Sequence, residues 1–104
     1  MLRIKDNSIQ AHSLAPQLLL AIFIADQVFA ERASECVITA LADGSHSSTS
    51  LHYAGCAVDL RTRHLGPGHA QIIHKELRGR LNMDWDVLLE PDHIHIEYQP
   101  KRRG

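Results

Sequence analysis

A chain of 104 residues, 44% apolar and 22% charged, holds one domain built around a thin core. Its formal net charge is -1 and its only basic cluster is the C-terminal Lys101-Arg102-Arg103, so it carries no electrostatic footprint for nucleic acid or an anionic membrane. The one unusual count is histidine, at eight.

Residues 1–12 are mixed, with a single short strand-like stretch, "LRIK". Ser13 is a helix-capping residue and Pro16 suits a first helical turn. A helix is predicted from Pro16 to about residue 33, with Leu18, Leu19, Ile22, Phe23, Val28 and Phe29 on a wide apolar face. "CVITALA", residues 36–42, is β-branched enough for a buried strand. "DGSHSSTS", 43–50, is a polar loop, and "CAVDLRT", 56–62, is a second strand.

The breaker-rich "RHLGPGH" leads into a second helix, "HAQIIHKELRGRLN", with Ile72, Ile73, Leu77 and Leu81 on one side. "WDVLLE", 85–90, and "HIHIEYQ", 93–99, are strands separated by Pro91, close enough to pair as an antiparallel hairpin. The order predicts an α+β fold: one domain over 1–104, a small, mostly antiparallel four-stranded sheet with helices packed on one face.

Cys36 and Cys56 are too few and too far apart for a cysteine-rich zinc module, and read as two buried thiols rather than a disulfide. His12, His46, His64, His69 and His74 lie in polar or helical surroundings and read as surface residues. The longest apolar run, "LLLAIFIA", is too short to span a bilayer, and the charged N-terminus lacks a signal peptide. The expectation is a soluble chain made in the cytoplasm.

Two segments concentrate chemistry. In "LLEPDHIHIEY", 88–98, alternation puts His93, His95 and Glu97 on one face and Ile94, Ile96 and Tyr98 on the core face. Pro91 breaks that alternation, so parity leaves the faces of Glu90 and Asp92 open. In "STSLHYAGCAVDL", 48–60, Asp59 faces away from Val58 and Leu60, and Gly55 permits a bend that folds His52 back towards Asp59. A hairpin histidine added to His52 and Asp59 makes two nitrogen donors and one oxygen donor. Three protein ligands with one position open is the pattern of catalytic zinc, since structural zinc is closed by four.

Ser50, His52, Gly55, Ala57 and Asp59 spell Ser-x-His-x-x-Gly-x-Ala-x-Asp. This pattern resembles the zinc peptidases that include D-alanyl-D-alanine carboxypeptidases and dipeptidases, phage L-alanyl-D-glutamate endolysins, murein endopeptidases and the hedgehog signalling domain. "EPDHIHIEY" is similar to their second motif. The resemblance implies that fold, with Zn2+ held by His52, Asp59 and His95, and His93 as the donor that steadies an oxyanion. It implies Glu90 as catalytic base if the murein endopeptidase spacing applies, and Asp92 if the endolysin and dipeptidase spacing does; Glu90 is preferred.

Ser50 is expected to orient substrate or cap its loop, Arg61 and Arg63 to meet a substrate carboxylate or else stand solvated, and Glu97 to hydrogen-bond a ligand imidazole. The implied activity is hydrolysis of a peptide bond in the peptidoglycan stem or cross-link, of carboxypeptidase or L-Ala-D-Glu endopeptidase type. Release to the cell wall would then fall to a phage-type lysis system. The alternative is a non-catalytic zinc-binding module of the hedgehog type. A serine hydrolase built on Ser50, His52 and Asp59 is disfavoured because Ser50 lacks the strand-to-helix elbow that exposes a nucleophile.

Overall fold

The computed structural model describes residues 2–5, 16–43 and 56–99. The Ser13 cap, the loop residues 44–50 with Ser50, the Gly55 bend, His12, His46, His52 and the basic tail lie outside the described residues. The elements run β1 (Leu2–Ile4), α1 (Pro16–Ala30), β2 (Cys36–Asp43), β3 (Cys56–Arg61), α2 (His69–Arg80), β4 (Trp85–Leu89) and β5 (His93–Tyr98).

The fold is α+β, as the order of elements predicts, but the sheet is five-stranded and mixed, in the order β1-β2-β3-β5-β4. The added strand is "LRI" at the N-terminus. It pairs parallel to β2, with Leu2 opposite Cys36 and Ile4 opposite Ile38. A parallel neighbour needs a long crossover, and α1 supplies it. The other pairings, β2/β3, β3/β5 and β4/β5, are antiparallel. It follows that β3 and β4 run parallel with β5 inserted between them, and α2 is the crossover that joins them.

Both helices pack on one face of this sheet. Leu18, Ala21, Ile22, Ala25, Val28 and Phe29 of α1, with Ile73 and Leu77 of α2, meet Cys36, Ile38, Val58, Leu60, Val87, Ile94 and Ile96 in one buried cluster. The apolar face of α1 differs from the sequence expectation. Leu19 is 41% exposed and Phe23 56%. Ala21 and Ala25 take their places because a helix lying close on a sheet seats small residues at the contact and turns the bulky neighbours outward. Ile72 likewise lies outside the α2 stripe.

The helix ends are set by backbone chemistry. α1 stops at Ala30, three residues short of the predicted end, because the chain turns there. Ser34 N–H donates to the Phe29 carbonyl at 3.0 Å and Ala33 N–H to the Ala30 carbonyl at 2.9 Å. That pair is a Schellman motif, and Ala33 takes its left-handed position with φ 54°. Before α2, His69 N–H donates to the Gly66 carbonyl at 3.1 Å, with Pro67 between them and Gly68 at φ 80°. This is a type II turn, in which only the second central residue needs positive φ.

The two cysteines are free and buried. The β2/β3 register sets Cys56 opposite Asp43, seven residues along β2 from Cys36. At ~3.3 Å per residue that separation is about 23 Å, far beyond disulfide reach. Burial, reinforced by the charge of Asp26, pushes the Cys36 thiol up to about 12. Two histidines read as surface residues are half-buried: His69, and His74, whose Nε2–H donates to the Val87 carbonyl at 2.9 Å. His64 is exposed and donates to the Glu35 carbonyl at 2.7 Å.

Ala33→Gly is expected to raise stability by about 1 kcal/mol, since glycine occupies the left-handed region without the Cβ penalty. Gly68→Ala should lower it by a similar amount for the converse reason. Thermal melts of the two variants beside the parent check both signs.

Candidate functional site

The pleat of β5 builds the site. Ile94 and Ile96 are fully buried against the helices, so His93, His95 and Glu97 stand on the other face, which no described element covers. β3 alternates in step: Val58 and Leu60 are buried, while Asp59 and Arg61 are half-buried on the same face as the histidines. The pairing of β3 with β5 sets Asp59 opposite His95, Arg61 opposite His93 and Ala57 opposite Glu97.

On the far side of β5, Leu88 is opposite His95 and Asp86 opposite Glu97. Glu90 N–H donates to the His93 carbonyl at 2.8 Å, which closes the hairpin and sets Glu90 across from His93. Three cross-strand rows result: Arg61–His93–Glu90, Asp59–His95–Leu88 and Ala57–Glu97–Asp86. The register thus resolves what Pro91 left open. Glu90 belongs to the histidine row, whereas Asp92 occupies the turn.

The side chains are joined by hydrogen bonds. His95 Nδ1 lies 2.6 Å from Asp59 Oδ1 and His95 Nε2 lies 2.9 Å from Glu97 Oε1. Gln99 Nε2 donates to the other Glu97 oxygen. His93 Nδ1–H donates to Asp92 Oδ1 at 2.8 Å, while His93 Nε2 stands 3.8 Å from Asp59 Oδ2. Asp59 is therefore flanked by both imidazoles of the hairpin. Thr39 adds a bond from its Oγ1 to the Asp59 carbonyl at 3.4 Å.

Electrostatics follow from these contacts. Partial burial works against a charged His95, but hydrogen bonds to Glu97 and Asp59 outweigh it and hold its pKa above the ordinary imidazole value. The hydrogen bond from His93 holds the Asp92 carboxyl below the usual range.

The donor chemistry suits zinc. In the metal-free structure Asp59 accepts from His95 Nδ1–H; loss of that proton, with Nε2–H still held by Glu97, would free the Nδ1 lone pair for a metal, the tautomer control that metal-bound imidazoles use. Two donors on one tetrahedral zinc at about 2.0–2.1 Å stand roughly 3.3 Å apart, so the pair must open by about 0.7 Å from its hydrogen-bonded spacing. Among the described residues no group of three or more His, Cys, Asp or Glu is arranged to hold a metal. The third expected ligand, His52, lies outside them, as does Ser50.

Of the expected residues, Asp59, His93, His95, Glu97 and Arg61 share one face, Glu90 lies in the His93 row by register, and Asp92 meets His93 from the turn. A cavity of about 230 Å³ opens beside them, walled in part by Arg61 and Arg63 and by two residues the sequence did not single out, Lys5 and Thr39. Lys5 continues the β1 ladder through its N–H to the Ile38 carbonyl, and Thr39 sits where the β2/β3 register shifts. Neither the parallel pairing nor the bulge leaves a mark in residue spacing. A larger cavity, about 610 Å³ between α2 and β4, contains none of the site's histidines or their carboxylate partners.

No protein-family model, curated protein or solved structure matches this chain.

His95 is more basic in the folded, metal-free protein than in the unfolded chain. Its stabilising contribution is therefore complete below about pH 6.5 and is lost as pH rises through the elevated folded value. Chelator-treated protein is expected to melt at lower temperature at about pH 9 than at about pH 6, and His95→Gln should flatten that dependence. Zinc affinity should run the opposite way, rising with pH as the proton is released.

Proposed function

We propose that this chain is a zinc-dependent peptidase acting on a peptide bond of the peptidoglycan stem or cross-link. The observation that carries the reading is the contact between Asp59 and His95, from segments 36 residues apart, at 2.6 Å on the face of the sheet that no described element covers. Parity sets Asp59 and the hairpin histidines outward, the resemblance names His95 among them, and the β3/β5 register puts Asp59 beside it.

Asp59 and His95, with His52, would hold the zinc. When bound, zinc supplies a Lewis acid and an acidified water. The chain's own residues do the rest. Glu97 fixes the His95 ring through Nε2, and Gln99 steadies Glu97 in turn. Asp92 accepts a hydrogen bond from His93 Nδ1–H, which orients the ring; in its doubly protonated form that ring would also offer Nε2–H to the negative charge that develops on the scissile carbonyl oxygen. One such donor is typically worth ~3 kcal/mol of barrier.

Glu90 accepts a proton from the attacking water and passes it to the leaving amine. Its place in the row across from His93 supports that assignment, and so does the commitment of Asp92 to His93, because a carboxylate held below its usual pKa is the poorer proton acceptor. Among the described residues no helix is long and apolar enough to cross a membrane, in keeping with a substrate reached from solution.

The test is digestion of purified sacculi with and without chelator, reading the new amino termini. Cleavage that chelator abolishes and zinc restores supports the reading; zinc retention without any new termini selects the non-catalytic module. His52→Ala and Asp59→Ala should each abolish stoichiometric zinc in elemental analysis. Glu90→Ala should keep zinc and lose hydrolysis by at least ~100-fold, while Asp92→Ala should keep part of the activity. The reverse outcome for the last two variants would make Asp92 the base.

A further inference from the structure

The cavity of about 610 Å³ between α2 and β4 has walls that define what fits it. Every residue of β4, from Trp85 to Leu89, lines it. Side chains alternate along a strand, so consecutive residues border one cavity only where it runs along the strand's free edge. The opposite wall is His74, Arg78 and Leu81, spaced i, i+4 and i+7 on one helical stripe. The cavity is thus a groove between a helix stripe and an open strand edge.

β4 ends the sheet, so no described strand lies beyond it. Glu90 N–H donates to the His93 carbonyl and Gln99 N–H to the Asp84 carbonyl, which fixes the phase of the hairpin. The backbone groups of Asp86 and Leu88 therefore turn inward to β5, and those of Trp85, Val87 and Leu89 turn outward. Trp85 N–H is taken by the Asn82 carbonyl and the Val87 carbonyl by His74. The Trp85 carbonyl, the Val87 N–H and both groups of Leu89 are left on the groove side. An extended peptide answers such a row with alternate amides of its own.

Charge narrows the occupant. Arg78 and Arg80 close α2, but Arg80 is paired with Glu31 at 2.7 Å. Arg78 is exposed, lines the groove and has no ion-pair or hydrogen-bond partner among the described residues. Asp86, the acidic residue of the groove, stands in the row with Glu97 on the histidine face, so it meets the other side of an added strand. On that side Leu88 is half exposed. We infer that the α2–β4 groove binds an extended acidic segment of a partner protein, which adds as a strand beside β4 with a carboxylate on Arg78 and apolar neighbours on the Leu88 side. The groove shares no residue with the proposed metal ligands, so its occupancy is independent of hydrolysis.

The test titrates the full isotope-labelled chain with the peptide acetyl-Ser-Thr-Val-Glu-Val-Thr-Ser-amide, followed by NMR. The Val87 and Leu89 amides should shift, and their hydrogen exchange should slow by about tenfold or more at saturation. Glutamine in place of the peptide's glutamate should weaken binding about tenfold, and Arg78→Glu should reverse the preference towards a lysine peptide. N-methylation of one alternate set of peptide residues should cost about tenfold or more, while the other set keeps its affinity. No shift at Val87 and Leu89 with millimolar peptide overturns the inference. Equal loss from both N-methylated sets overturns it too, since the contact would then run through side chains alone. Dimerisation of the peptide-free chain that protects the same amides also overturns it, because the occupant is then a second copy.

Discussion

The structure depends on a single alternation. Ile94 and Ile96 must be buried beneath α1 and α2, and a strand that buries every second residue has to expose those between. His93, His95 and Glu97 are thereby fixed outward by the same hydrophobic energy that holds the domain together. A one-residue slip of β5 would turn both isoleucines into water and both histidines into the core, so the register of the polar face is protected by the apolar one. β3 is bound by the same logic through Val58 and Leu60, and the two constraints together bring Asp59 to His95.

Much of this was legible in the sequence because it rests on parity and on short connections. The hairpin, the outward histidines, the outward Asp59 and the free thiols all follow from local pattern. What was illegible depended on partners distant in sequence. The strand character of "LRI" is weak in isolation and becomes β1 only because α1 returns the chain beside it. The alanines of α1 carry little hydrophobic weight in a sequence, so Leu19 and Phe23 looked like core; close helix–sheet contact favours the smaller side chains. Glu90 and Asp92 were separated only by the register of the hairpin, which Pro91 hid.

The hydrogen bonds around His95 also describe a competition. The pair of carboxylates that favours a proton on the ring is the pair that would favour a divalent cation beside it, since both occupants are positive and both are answered by Asp59. The proton-bound form is a closed arrangement, with each ring nitrogen facing an acceptor. In the metal site proposed above, Asp59 would meet the cation in place of the proton while Glu97 kept its bond to His95 Nε2.

The bond from His74 to the Val87 carbonyl bears on a different matter. The hairpin register points the Val87 carbonyl away from β5, to the outer margin of the sheet, where it would otherwise be open to another chain. By occupying that oxygen, α2 removes one rung from the ladder on which a stray polypeptide would climb to extend the sheet. A molecule this small, with β4 at its border, is thereby defended against self-stacking by a histidine that has no part in its chemistry.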